Sequence, residues 1–133
     1  CADLQIQPHN LLVVSGIGCS SNLTGFIRSY GVHSIHGRAL PFATGSKLAN
    51  GAMTVVVAGG DGDGYGIGLN HFIQAMRRNI NVTYIVMNNE IYGLTTGQVS
   101  PTSETGMKTK TTPLGNLEGM LNPLALALAI FQL

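Results

Sequence analysis

Charged side chains are scarce in this sequence. Asp, Glu, Lys and Arg make up 10% of its 133 residues, against roughly 25% in an average soluble domain. Seven basic and six acidic residues leave a formal charge of +1. A chain so balanced has no overall field to attract nucleic acid or anionic lipid. With 44% hydrophobic residues, it is not a disordered polar tail either. Cysteine is nearly absent: Cys1 and Cys19 are too few for a disulfide scaffold, and the reading is a reduced, cytoplasmic protein. Long apolar runs are missing as well. The longest, residues 124–131, falls far short of the roughly 18 residues a membrane span needs, and no basic-then-apolar leader opens the chain. A membrane partner is therefore not expected. The first residue is not Met, and the last apolar stretch stops uncapped at Leu133. The expectation is a piece of a longer protein, truncated at both ends.

Glycine is abundant instead: 18 residues, about twice the usual share of roughly 7%. The glycines follow no fixed period and stand at the ends of apolar runs, as loop glycines do. Four such runs set the plan: residues 11–15, 32–35, 53–58 and 82–87. Runs that are continuously apolar rather than alternating predict strands buried on both faces. Between the last two, residues 66–79 place Leu69, Phe72, Ile73 and Met76 on one helical stripe, which predicts a buried helix face. A second helix is expected over residues 40–48, with Pro41 tolerated in its first turn. Strand, glycine turn, helix, strand predicts an α/β fold: a parallel sheet with helices on both faces, in a single domain over residues 1–133. Residues 92–122 read as a long loop, usually a functional feature. Pro123 then opens a helix that is apolar all round and must be covered by something.

The stretch with the most chemistry is Gly59-Gly-Asp-Gly-Asp-Gly-Tyr-Gly66, between a strand and a helix. Its glycines let backbone N–H groups approach a ligand, and the following helix N-terminus favours anions. Two carboxylates there repel a phosphate unless a cation, Mg²⁺ or Ca²⁺, lies between them; the plainer alternative is an Asp-Gly turn with solvated carboxylates. Asn88-Asn89 ends the next strand, with Asn89 28 residues after Asp61. In a βαβ unit both strand ends lie on the edge of the sheet where ligands bind. An Asp carboxylate, an Asn amide oxygen and a nearby carbonyl suit a hard cation that keeps phosphate oxygens as its other ligands.

Gly60-Asp61-Gly62, 25 residues, then Asn88-Asn89 resembles the thiamine-diphosphate motif. Gly16-Ile-Gly-Cys-Ser20, His36-Gly-Arg-Ala-Leu-Pro41, Asn79-Ile-Asn-Val-Thr-Tyr-Ile-Val-Met-Asn88, Ile91-Tyr-Gly-Leu-Thr-Thr-Gly-Gln98 and Ser100-Pro-Thr102 extend the likeness to the β subunit of 2-oxoacid:ferredoxin oxidoreductases. It runs over nearly the whole chain. The resemblance implies a thiamine-diphosphate-binding fold, with Mg²⁺ held by Asp61, Asn89 and the backbone carbonyl of Ile91. The cofactor-binding set it implies is Gly18, Cys19, Ser20, His36, Gly60, Asp61, Gly62, Asp63, Asn89, Ile91, Gly93 and Leu94. Of these, His36 and Leu94 are the candidates nearest the reacting rings. The implied reaction is oxidative decarboxylation of a 2-oxoacid, 2-oxoglutarate or pyruvate, with the acyl group passed to coenzyme A and electrons to ferredoxin. An α-type subunit is the implied partner.

In that family the position of Cys19 ligates a [4Fe–4S] cluster, which takes four thiolates. Two cysteines cannot build one, so a cluster here needs ligands from elsewhere in a full-length parent. Without the resemblance, a lone cysteine reads as a small buried hydrophobe, and His36 as a loop histidine bonded to backbone. His71 reads either way, His9 and His33 as solvent-facing, and Arg77-Arg78 as helix-end charges. Lys108 and Lys110 read as a solvated pair. The rival functions are a non-oxidative thiamine-dependent decarboxylase subunit and a non-catalytic Mg²⁺–diphosphate binding or assembly module. Thiamine activation in the resembled family takes a glutamate from the other subunit or domain, and Glu90, Glu104 and Glu118 here are poorly placed to replace it.

Overall fold

The computed structural model describes residues 3–131; Cys1 lies outside them. Four parallel strands form one sheet: β1 (Leu11–Ser15), β2 (Tyr30–His33), β3 (Thr54–Gly60) and β4 (Thr83–Met87), in the order β2-β1-β3-β4. Val14 pairs with Val32 on one side and Val57 on the other, and Ala58 pairs with Ile85. The crossovers are α1 (Leu23–Phe26), α2 (Ala39–Ala49) and α3 (Leu69–Arg77). Right-handed crossovers put α2 and α3 on one face and the single turn of α1 on the other. A two-stranded hairpin, β5 (Ile91–Tyr92) and β6 (Gln98–Val99), follows β4, and α4 (Pro123–Ile130) ends the described chain.

The core lies between the sheet and α2. Leu12, Val14, Val55 and Val57 meet Ala39, Leu40 and Ala43, with Phe72, Ala75 and Tyr84 packed against them. The small residues of α2 let the helix sit close on the sheet. Leu11, Val13 and Ala58 point to the opposite face and are also buried.

Four sequence expectations change. Strand β2 occupies Tyr30–His33 rather than residues 32–35 and, at one edge of the sheet, is largely exposed instead of buried on both faces. Strand β4 alternates instead of being buried on both sides: Tyr84 and Val86 are half-buried, whereas Thr83, Ile85 and Met87 are exposed. Among the described residues only the α3 side of this edge strand is covered. The stripe on α3 is half-buried rather than buried, because α3 sits at the margin of the core. The apolar helix α4 packs on α3 through Leu126, Ala127 and Ile130 and leaves Leu124 and Leu128 in solvent. Its first turn is closed by Asn122, whose side chain accepts from the Ala125 amide at 3.0 Å.

The irregular stretch before α4 is tied down. Asn116 is buried, and its amide donates to the carbonyls of Glu104 and Glu118 at 3.2 and 3.4 Å. Ser100, Thr102 and Ser103 are buried too.

Candidate cofactor site

The strand order reverses direction between β1 and β3. At such a switch point the loops leaving the two strands diverge and open a crevice at the carboxyl edge. All twelve residues expected to hold a cofactor line that one cleft: Gly18, Cys19 and Ser20 after β1, His36 after β2, Gly60 to Asp63 after β3, Asn89 after β4, and Ile91, Gly93 and Leu94 in the hairpin. Ile17, Met87, Tyr92 and Thr95 complete the wall.

Asp61 and Asp63 are both buried, at 1% and 3% exposure, yet they face different partners. Asp63 Oδ1 accepts from the Ile17 amide at 3.0 Å and the Gly37 amide at 2.8 Å, and His36 Nδ1 lies 3.9 Å away. One carboxylate thereby ties the loops after β1 and β2 to the loop after β3. The other oxygen of Asp63 packs where a Cβ on Gly16 would lie, so the strand-end glycine makes room for the staple.

Asp61 instead faces β4 and the hairpin. Its Oδ2 accepts from Ser100 Oγ and, at 2.8 Å, from Thr102 Oγ1. On the other side, a terminal amide atom of Asn89 stands 3.0 Å from Asp61 Oδ1 and 2.8 Å from the Ile91 carbonyl oxygen. With nitrogen at that corner, Asn89 donates to both. With oxygen there, a half-turn of the amide away, three oxygens converge. Neighbouring oxygens around octahedral Mg²⁺, each at about 2.0–2.1 Å from the ion, are roughly 2.9 Å apart. The spacings at Asn89 match that figure. One carboxylate, one amide and one carbonyl leave about half of an octahedron for phosphate and water, as Mg²⁺ sites usually do.

A second feature fits a diphosphate. Ser20 Oγ is buried in the cleft wall without a hydrogen-bond partner, a costly state for a hydroxyl unless a ligand supplies one. On the floor, Tyr92 Oη donates to the Gly62 carbonyl at 3.1 Å, and its ring fills the place of a Cβ on Gly62. Burial, and then the carboxylates of Asp61 and Asp63, push the Tyr92 phenol up from its ordinary value, so it stays a neutral donor. Tyr65 is pushed up by burial and Asp61, and Tyr84, most strongly, by burial, Asp63 and Tyr65.

Cys19 is exposed at the cleft, which removes the buried-hydrophobe reading: the 3₁₀ turn Cys19–Asn22 turns Ser20 and Ser21 inward and leaves the thiol outside. His36 is about one-third exposed, and Leu94 is 64% exposed. His71 lies off the cleft on α3, and His9, His33, Arg77, Arg78, Lys108 and Lys110 are exposed. Sequence reasoning names Asn88 and Ser100-Pro-Thr102 only as motif residues and gives them no role; Asn88 Oδ1 is 2.7 Å from Thr102 Oγ1. It does not single out the buried hydroxyl of Ser103 at all. Nothing in a short Ser/Thr run marks it as buried.

Residues 16–131 match the family described as thiamine pyrophosphate enzyme, C-terminal TPP binding domain. The chain is 54% identical over 128 residues, 96% of its length and 40% of the relative's, to the β subunit of 2-oxoacid:ferredoxin oxidoreductase 1 of Aeropyrum pernix. It is 54% identical over 126 residues to the 2-oxoglutarate oxidoreductase subunit KorB of Mycobacterium tuberculosis, covering 95% of this chain and 34% of that one. A solved 2-oxoglutarate:ferredoxin oxidoreductase from Magnetococcus marinus, with 2-oxoglutarate, coenzyme A and succinyl-CoA bound, superposes with a TM-score of 0.95 at 49% identity, over 97% of this chain and 44% of that one. The chain thus spans less than half the length of the relatives it matches. It belongs to the thiamine pyrophosphate enzymes, by way of their C-terminal TPP-binding domain.

Proposed function

We propose that the chain is the cofactor-holding part of the β subunit of a 2-oxoacid:ferredoxin oxidoreductase, binding Mg²⁺ and thiamine diphosphate at the carboxyl edge of the sheet. The observation that carries this reading is the corner where Asp61, Asn89 and the Ile91 carbonyl meet at 2.8 and 3.0 Å. The partnerless Ser20 hydroxyl supports it from the opposite wall.

Thiamine diphosphate, when bound, supplies the electron sink that lets a 2-oxoacid lose CO₂. Asp61, Asn89 and the Ile91 carbonyl would hold the cation that neutralises its diphosphate, and the unpartnered Ser20 Oγ would be free to donate to it. Asp63 fixes the loops that carry Gly18 to Ser20 and His36. His36 and Leu94 wall the open side, next to the substrate. The resemblance implies that the glutamate that activates the cofactor would come from another subunit or domain. Cys19, exposed at the cleft, would contribute one thiolate to a [4Fe–4S] cluster only where further protein supplies the other ligands. The 2-oxoacid is oxidised to its acyl-CoA and the electrons pass to ferredoxin; relatives named for 2-oxoglutarate make that acid the first to test.

The experiment is reduction of ferredoxin by the assembled protein with 2-oxoglutarate or pyruvate and coenzyme A. Reduction that needs both substrates, Mg²⁺ and thiamine diphosphate supports the reading. Release of CO₂ with no acceptor and no acyl-CoA would overturn it in favour of a non-oxidative decarboxylase.

A further inference from the structure

Residues 100–103 contribute no cation ligand in the reading above, yet they touch each of the three segments that do. Ser100 Oγ and Thr102 Oγ1 both reach Asp61 Oδ2. Thr102 Oγ1 also lies 2.7 Å from Asn88 Oδ1, beside Asn89. Ser103 Oγ donates to the carbonyl of Glu90, next to Ile91, and accepts from the Ser100 amide at 2.7 Å. Glu90 stands at φ 61, a conformation unfavourable for a side chain with Cβ, and the Ser103 bond secures it. The three hydroxyl residues are each buried, at 4%, 2% and 1% exposure.

The chemistry is directional. A carboxylate has two oxygens, and both hydroxyls engage the same one, Oδ2. Oδ1 is left to the corner with Asn89 and Ile91. Thr102 has a single proton, which goes to Asp61. With the Asn88 amide turned so that its nitrogen faces Thr102, the same hydroxyl would accept from Asn88.

We infer that residues 100–103 form a positioning clamp for the cation site, holding the carboxylate of Asp61 and the β4 turn at the spacing the ion requires. This inference rests on the cofactor reading above. Ser100, Thr102 and Ser103 are positioning residues: they set where ligand oxygens stand and touch neither ion nor substrate.

The test is made on the protein as assembled in the cell, with Mn²⁺ as the probe at saturating thiamine diphosphate, followed by loss of the free ion's paramagnetic resonance signal. Replacing a group that orients a ligand typically weakens metal affinity 10–100-fold, so Thr102→Val should weaken Mn²⁺ binding about tenfold or more and Thr102→Ser by no more than about twofold. Should Thr102→Val not accumulate folded, Ser100→Ala carries the same expectation, because it removes the other donor to Oδ2. Wild-type Mn²⁺ affinity in these hydroxyl-deletion variants, alongside its loss in Asp61→Ala, would overturn the clamp and leave the cofactor reading standing. Retention of Mn²⁺ by Asp61→Ala would overturn the cofactor reading and the clamp together.

Discussion

At the carboxyl edge of the sheet, Asp61, Asp63, Ser100, Thr102 and Ser103 are all buried, while on the flank made by α4 and the segment before it Leu114, Leu117, Leu124 and Leu128 are between 73% and 95% exposed. Polar groups lie inside and large apolar groups outside, the reverse of the usual distribution. Burying a carboxylate is costly unless it is hydrogen-bonded, and at the edge each one is: Asp61 by two hydroxyls and Asp63 by two backbone amides. The flank has no such explanation within the described residues. Large apolar side chains left in solvent in this way are surface that another element can cover. Location in the fold, rather than residue polarity, tells which residues bear on the ligand.

The largest expected effect separates the two aspartates of the edge. Asp61→Ala should weaken thiamine diphosphate binding in the presence of Mg²⁺ by at least about a hundredfold, close to 2.8 kcal/mol, as read by titration calorimetry. Asp63→Ala should instead cost folding stability, about 3 kcal/mol for two buried amides left without an acceptor, measured by denaturant unfolding. Equal losses of binding in the two variants would mean that Asp63 is also a ligand.

Next comes the contrast between core and flank. Val57→Ala removes a side chain that is 0% exposed and should cost about 2 kcal/mol. Leu128→Ala on the outer side of α4, 73% exposed, should cost less than about 0.5 kcal/mol in denaturant unfolding. A large stability loss at Leu128 would show that the flank is covered within the chain itself.

The smallest effect is alkaline. Tyr65, Tyr84 and Tyr92 have phenols raised above the ordinary value of 10.0, so the folded chain holds their protons more tightly than the unfolded chain does. Their contribution is fully present below pH 10 and is lost as the pH rises above it. Ultraviolet titration should show Tyr65, Tyr84 and Tyr92 ionising only above the ordinary phenol range, with unfolding setting in over that range.

Much of this was legible in the sequence, for identifiable reasons. The apolar runs at residues 11–15 and 53–58 are the two central strands because both of their faces are covered. The Gly-Asp turn and the Asn pair converge because parallel strands end on one edge. The run at 82–87 misled on burial: an edge strand has one covered side among the described residues, and composition does not say which strand lies at the edge. The hydroxyls at 100–103 were hidden for another reason. Their partners lie 39 and 41 residues away for Asp61, a contact that only the tertiary fold creates. Asp63 was legible as a site residue, but its role was not, since the amides it accepts from belong to two other loops.

The winding that joins β3 to α3 has a consequence for how the chain tolerates change. The Gly68 amide bonds to the Asp63 carbonyl at 3.1 Å across a π-helical turn, Gly62–Ile67, which takes up one residue more than an α-helical turn. The backbone leaves helical geometry at Gly66 (φ −82, ψ −109), so the chain is redirected there before α3 begins. A Cβ on Gly62, Gly64, Gly66 or Gly68 would stand 2.2, 2.1, 2.6 or 2.5 Å from its nearest neighbour, Tyr92, Tyr84, Tyr92 and the Asp63 carbonyl in turn. The glycine-rich loop is thus filled from outside by two tyrosine rings, and it is the absence of side chains at these positions that lets the cofactor edge and the helix layer meet.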